Sequence, residues 1–205
     1  MGLALRYNLF HGVDARSVYG ALSAYWASRR HRLAERMPRT PPLRAADEYV
    51  LHEQRDGWTL LSWDGGWEWT RRREAQLHVS RALGCLGLLV FVYDGRYWGY
   101  ELFDRGDMVD RFVQEPEHGR GPEEPNADEE CPGRPELVAA ARPDRPLPAD
   151  AVAAVMHRRT SPGGHGALDL LRLLGVELRA GEADEPWWYV DPVAARWRAF
   201  AIVPR

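Results

Sequence analysis

Lysine is absent from this chain, so all 27 basic residues are arginine. Isoleucine occurs once (Ile202) and asparagine twice (Asn8, Asn126). Lysine, isoleucine and asparagine have AT-rich codons. The pattern therefore points to a high-GC bacterial genome, and part of the arginine content reflects codon usage. Without an ε-amine no imine can form, which excludes PLP enzymes and class I aldolases. The lysines of a Walker A loop and of the protein-kinase ATP site are equally missing. Only two cysteines are present, Cys85 and Cys131. Two do not make a disulfide framework, and free thiols are expected. The longest apolar run, residues 86–93, falls far short of the ~20 residues that a membrane-spanning helix needs. No signal peptide is evident, and a cytoplasmic protein is expected.

What is present fits a globular chain. Its 205 residues are 45% hydrophobic with net charge −3, which suits one domain or one domain plus a small appendage. That charge disfavours nucleic acid as the main partner, because backbone recognition needs a cationic field.

The pattern of elements predicts an α+β fold. Residues 3–10 read as a strand and His11-Gly12-Val13 as a turn. Asp14 can accept the free amides of a helix start. Val18, Leu22, Trp26, Leu33 and Met37 share a helical face, predicting a long helix over 14–37 that Pro38 ends. Residues 48–54 and 58–63 read as strands joined by the Asp56-Gly57 hairpin signal. Thr70 can cap a second helix running to about Gly84, with Ala75, Val79, Ala82 and Leu83 inward. Residues 86–93 are a continuously apolar strand. Asp94-Gly95 turns the chain into strand 96–103, and a turn over 104–107 leads to strand 108–114. The first six elements match a ferredoxin-like βαββαβ core, extended by an antiparallel meander.

Residues 115–136 break the pattern. They hold Glu115, Glu117, Glu123, Glu124, Asp128, Glu129 and Glu130 among five prolines and three glycines, the composition of an acidic loop or linker. Residues 137–205 read as a smaller mixed segment packed on the first domain (1–114). Short helices are predicted over 137–142, 149–158 and 167–174, the last closed by Gly175. Strands are predicted over 176–178, 187–190 and 196–203.

Three constellations stand out. Trp58, Trp63, Trp67 and Trp69 crowd together, and Tyr97, Trp98, Tyr100 and Phe103 follow. Trp67, Trp69, Tyr97, Trp98 and Tyr100 are the candidate interaction surface, since such rings dominate binding hot spots. The competing reading, weighted about two to one, is that these rings are core. Arg71, Arg72 and Arg73 occupy the first turn of the second helix, where the macrodipole disfavours cations. They are the candidate anion- or partner-binding residues; a later helix start or pairing with Asp64 and Glu68 is the bland alternative. Asp104, Arg105, Asp107, Asp110 and Arg111 read as solvated hairpin charges. The seven histidines have no metal-ligand spacing, and no nucleophile elbow or dinucleotide fingerprint occurs. No metal, cofactor or catalytic residue is assigned.

The run Tyr97-Trp98-Gly99-Tyr100-Glu101-Leu102-Phe103, then Gly106, Val109-Asp110-Arg111-Phe112 and Pro116, resembles a hairpin recurring in uncharacterised bacterial proteins. A weaker echo lies in Cys131-Pro132-Gly133. The resemblance covers about twenty residues and implies a bacterial, sheet-containing protein with no assigned activity.

Two functional expectations follow. The first is a non-catalytic protein-interaction module, immunity-like or regulatory, whose partner is another protein. The alternative is a small-molecule or anion-binding sensor or enzyme that uses the arginine cluster. Membrane association is not expected.

Overall fold

The computed structural model describes residues 5–36, 48–53, 56–63, 69–93, 97–114, 131–142, 144–158, 164–176, 178–180, 190–192 and 196–204. The fold is mixed α+β. Its first elements are β1 (Leu5–His11), α1 (Ala15–Ser28), β2 (His31–Arg36), β3 (Glu48–Glu53), β4 (Trp58–Trp63) and α2 (Trp69–Leu83). A meander follows: β5 (Leu86–Tyr93), β6 (Tyr97–Asp104) and β7 (Asp107–Val113). Then come α3 (Pro135–Ala139), α4 (Ala149–His157), α5 (Gly164–Leu173), β8 (Leu178–Ala180), β9 (Val190–Pro192) and β10 (Arg196–Pro204). Two compact units interleave along the chain. One holds residues 6–88, 103–108 and 193–205, the other residues 1–5, 89–102 and 109–192.

The first unit contains a five-stranded antiparallel sheet in the order β2-β10-β3-β4-β1. Its register sets Phe10 opposite Thr59 and Leu9 opposite Leu60. Side chains alternate across a strand, so Phe10, Leu61, Leu51 and Phe200 share the face that meets the helices. On α1, Val18, Ala21, Leu22, Tyr25 and Trp26 repeat at helical spacing and are buried in that core with Ala75 and Val79 of α2. The opposite face is also closed at its centre, where Leu9, Leu60 and Trp58 are buried.

α1 starts where the sequence predicts, with Asp14 accepting from the Ser17 amide at 2.7 Å. That bond holds the carboxyl below its usual pKa. The expected helix over 14–37, however, ends at Ser28. Ser28-Arg29-Arg30-His31-Arg32 puts no apolar side chain on the inner face for a full turn. Arg30 then adopts the left-handed conformation (φ 62°), and residues 31–36 pair with β10 instead. Leu33 still reaches the core, but from a strand. The ladder to β10 outweighs local helical periodicity, a long-range effect that a local reading cannot contain. β10 itself, expected in the C-terminal segment, is thus built into the N-terminal sheet between β2 and β3.

α2 begins at Trp69, so Thr70 lies inside it rather than at its cap. Ala75 and Val79 are buried, as expected, with Gln76 and Ser80 beside them; Ala82 is exposed. The helix closes at Gly84 (φ 59°), and Cys85 donates from its amide to the Ser80 carbonyl at 3.1 Å. The Ser80 hydroxyl donates to the Cys85 carbonyl at 2.6 Å and accepts from the Gly106 amide at 3.0 Å. This ties the helix end to the Arg105-Gly106 turn, whose two residues both have positive φ (50° and 88°), as a tight two-residue hairpin requires.

In the second unit β6 lies between β5 and β7. Leu89, Val90, Phe91 and Val92 of β5 are all buried, the continuous apolar run of a strand covered on both faces. Two glycines admit close packing. A Cβ on Gly166 would collide with the Trp98 ring, and one on Gly99 would meet the Phe112 carbonyl and stand 2.6 Å from Phe91 Cζ. Residues 131–136, expected to belong to the acidic linker, are folded here. The Val113 amide donates to the Cys131 carbonyl at 3.0 Å, and Phe112 bridges to Pro132. Residues 115–130 and the Asp94-Gly95 turn lie outside the described residues. Val138, Val152, Val155, Met156, Leu170, Leu171 and Leu174 of the helical segment are buried. α5 ends as predicted at Gly175, where the Val176 amide donates to the Leu171 carbonyl at 2.9 Å.

Candidate functional site

The paired helices α1 and α2 run in opposite directions, because the last turn of α1 meets the early turns of α2. The Tyr25 hydroxyl donates to Glu74 Oε2 at 3.0 Å, and the Arg29 guanidinium donates to the same oxygen at 2.6 Å. The guanidinium carbon also sits 3.8 Å from the centre of the Tyr25 ring, a cation–π contact. One end of the helix pair therefore collects two arginine runs. Arg29 and Arg30 follow α1, and both are exposed. Arg71, Arg72 and Arg73 occupy the early turns of α2, whose first turn carries no acid.

The electrostatics of the two runs differ. Cations past the C-terminus of α1 are favoured by its dipole, whereas cations in the first turns of α2 are not. Glu74 is the acid nearest that cluster in the sequence, and its Oε2 is already taken by Arg29 and Tyr25. Arg73 is half-buried, with a contact to Met108 Sδ at 3.0 Å. Among the described residues, this end of the helix pair sets the exposed Arg29 and Arg30 beside the turns of α2 that carry Arg71–Arg73, and Glu74 there is engaged by Arg29 and Tyr25. His78, one turn further along α2, stacks near Tyr25 with ring centres 5.5 Å apart. Its pKa is lowered by partial burial and then by Arg29 and Arg81.

The expected aromatic surface is placed differently. Trp98 and Tyr100 are buried, packed on Phe112 at ring-centre distances of 5.0 and 5.6 Å. Their rings are core, where each large side chain contributes roughly 1.5–3 kcal/mol by burial, and neither is open to a partner. Tyr97 lies in β6 and Trp69 opens α2. Trp67 falls outside the described residues.

One charge read as solvated on the hairpin, Asp110, is inside instead, and Arg111 is half-buried. Asp110 accepts from the Tyr100 hydroxyl at 2.8 Å and from the Arg134 amide at 2.9 Å, with Arg134 Nε 3.5 Å from its other oxygen. Arg134 also donates to the Val109 carbonyl. Burial, then the Asp110 carboxylate, pushes the Tyr100 phenol far above its usual pKa. Such a phenol is a fixed donor that pins residues 131–134 to β7. On the other side of the ribbon, buried Glu101 pairs with Arg111 at 3.6 Å. Asp104, Arg105 and Asp107 are exposed, as expected.

Remaining reactive groups offer no assembled chemistry among the described residues. Burial pushes the Cys85 thiol up to about 11, so the thiolate form is suppressed. No group of three metal-ligating side chains occurs among the described residues, and no described helix is long and apolar enough to cross a membrane.

The sequence singles out Arg71–Arg73 and places Arg29 and Arg30 in mid-helix, whereas α1 ends before them at Ser28. The available signal was the polar run over residues 28–32, which interrupts the apolar stripe of α1. The fold and site define an α+β protein with an arginine-rich helix end. No family model, no curated protein and no solved structure matches the chain.

Proposed function

We propose that this is a bacterial, cytoplasmic, non-catalytic interaction module, immunity-like or regulatory, that docks an acidic protein surface through the arginine end of α1 and α2. The observation that carries the reading is the Arg29–Glu74 contact, which sets the α1 end with Arg29 and Arg30 beside the α2 turns that carry Arg71–Arg73 and engages Glu74 internally. Arginine is suited to such a surface, because its planar fork matches carboxylates in two-point contact. Complementary charge of this kind sets partner choice and association rate. The order β3-β4-β1, with Gly87 of β5 so close to Phe10 that an added Cβ would stand 3.5 Å from its ring, and two helices on one face, supports a ferredoxin-like core. β2 and β10 would then be additions beyond its β3 side. The bacterial assignment rests on composition and on the hairpin resemblance.

The test is partner capture with wild-type protein and with the Arg71→Glu/Arg72→Glu double variant. A specific acidic partner held at low salt, released at about 0.5 M salt and lost in the variant supports the reading. Equal capture by both proteins refutes it. A second reading is a site for a small anion, favoured by arginines in the first turns of α2 beside its free amides. A melting-temperature rise with phosphorylated metabolites, abolished by Arg72→Glu, would select it.

A further inference from the structure

The first unit carries a second feature beside the arginine end. Among the described residues, β2 is hydrogen-bonded to one neighbour only, β10. Its opposite edge is a row of backbone donors and acceptors, and such a row is a template for another strand. β2 begins directly after Arg29 and Arg30, so the edge starts at the arginine end. Along it, Arg32 and Glu35 are exposed, His31 and Ala34 are part-exposed, and Leu33 is turned into the core.

We propose that β2 accepts an extended acidic segment of the partner protein as an added antiparallel strand. The inference rests on the function proposed above and specifies which part of the partner is bound. Strand addition draws affinity from main-chain hydrogen bonds and specificity from alternate side chains. Every register described in this sheet is antiparallel, so an incoming strand continues the pattern.

Charge chooses the occupant. From residue 29 to residue 36 the chain reads Ser28-flanked Arg29-Arg30-His31-Arg32-Leu33-Ala34-Glu35-Arg36, four arginines to one glutamate. A second copy of this edge would bring like charge against like charge, the device by which natural edge strands resist self-pairing. The same cations attract a strand bearing carboxylates. Opposite Arg32 the partner needs an acid, opposite Leu33 an apolar residue, and opposite Glu35 a residue that is not acidic. Further acids beyond the one facing Arg32 would reach the Arg30 side. Read in the antiparallel sense, the pattern is Thr-Ala-Val-Glu-Thr-Glu.

A fluorescein-labelled peptide of that sequence is the probe, with a scrambled peptide of equal composition as control. Two quantities are read: binding by anisotropy, and amide hydrogen exchange over residues 31–36. Saturable binding that slows exchange in β2 and falls about tenfold in Arg32→Glu supports the proposal, provided the scrambled peptide binds at least tenfold more weakly. Arg32 is exposed, and an unchanged thermal melt of Arg32→Glu establishes that the loss is not unfolding. Binding without slower exchange in β2, abolished by Arg72→Glu, overturns strand addition and leaves the helix-end docking reading standing. Slower exchange in β2 that persists in Arg71→Glu/Arg72→Glu supports strand addition as separable from the α2 arginines, and the partner-capture comparison decides the helix-end reading by itself. Equal binding of the scrambled peptide, no binding, or concentration-dependent protection of β2 without peptide each overturns the proposal, the last because a second copy then covers the edge.

Discussion

The Arg29 guanidinium donates to Glu74 at 2.6 Å while its carbon lies 3.8 Å from the centre of the Tyr25 ring. One contact thus joins the end of α1 to the start of α2 and uses up a carboxylate in an arginine-rich neighbourhood. The two side chains are 39% and 48% exposed, and a pair that open to water is worth at most about 1 kcal/mol. Glu74→Gln keeps an acceptor for Tyr25 and Arg29 and removes one negative charge. The expected outcome is a small change in melting temperature, a several-fold gain in affinity for the acidic partner, and a steeper dependence on salt. Titrations at two ionic strengths check it.

Arg30 holds a left-handed backbone at φ 62°, in the position after a helix where glycine is usual. For a residue with a Cβ that conformation costs roughly 1–2 kcal/mol. Arg30→Gly should raise the urea midpoint by an equivalent of about 1 kcal/mol and weaken partner binding at the same time. Stability gained against function lost is the signature of a residue kept for its side chain. A variant that is stabilised and binds unchanged would show that Arg30 has no share in docking.

Tyr100 and Asp110 form the buried anchor of the second unit, at 2.8 Å. Tyr100→Phe leaves one oxygen of Asp110 with fewer donors, and a buried acceptor left short costs about 1–3 kcal/mol. Urea denaturation followed by tryptophan fluorescence should show a loss in that range. Because the anchor holds residues 131–134, limited proteolysis there should accelerate as well.

His78 gives the molecule a pH dependence of defined sign. Its folded-state pKa is lowered by burial and by Arg29 and Arg81, so the folded state prefers the neutral ring. Between that lowered value and the unfolded value of about 6.5, the unfolded chain binds more protons, and stability rises with pH. The contribution is complete above about pH 6.5 and disappears as pH falls through the folded pKa. His78→Gln should flatten the stability profile over roughly pH 5–7. An unchanged slope would assign the dependence to other groups.

Much of the local architecture is legible in the sequence. β4 and β5 were read at their observed bounds, Asp14 caps α1, and Gly175 closes α5. These features are set by residues close in the chain, where turn chemistry and apolar runs speak directly. β2 was hidden because its identity depends on pairing with β10, from the far end of the sequence. With β2 hidden, the sequence places Arg29 and Arg30 in mid-helix, and only the α2 arginines stand out. Asp110 reads as a surface charge because its partners Tyr100 and Arg134 come from other parts of the chain, which sequence position alone does not bring near. Trp98 and Tyr100 were offered as surface for the opposite reason: an aromatic strand looks the same whether its cover is solvent or protein.

The hydrogen bond between the Val113 amide and the Cys131 carbonyl closes the chain on itself like the neck of a flask. Whatever is spliced between Gln114 and Cys131 enters and leaves through one doorway, already stitched by the Phe112 and Pro132 bridge. A fluorescent reporter domain inserted there would leave the β7 ladder whole, and it supplies a genetically encoded tag for following this protein in living cells.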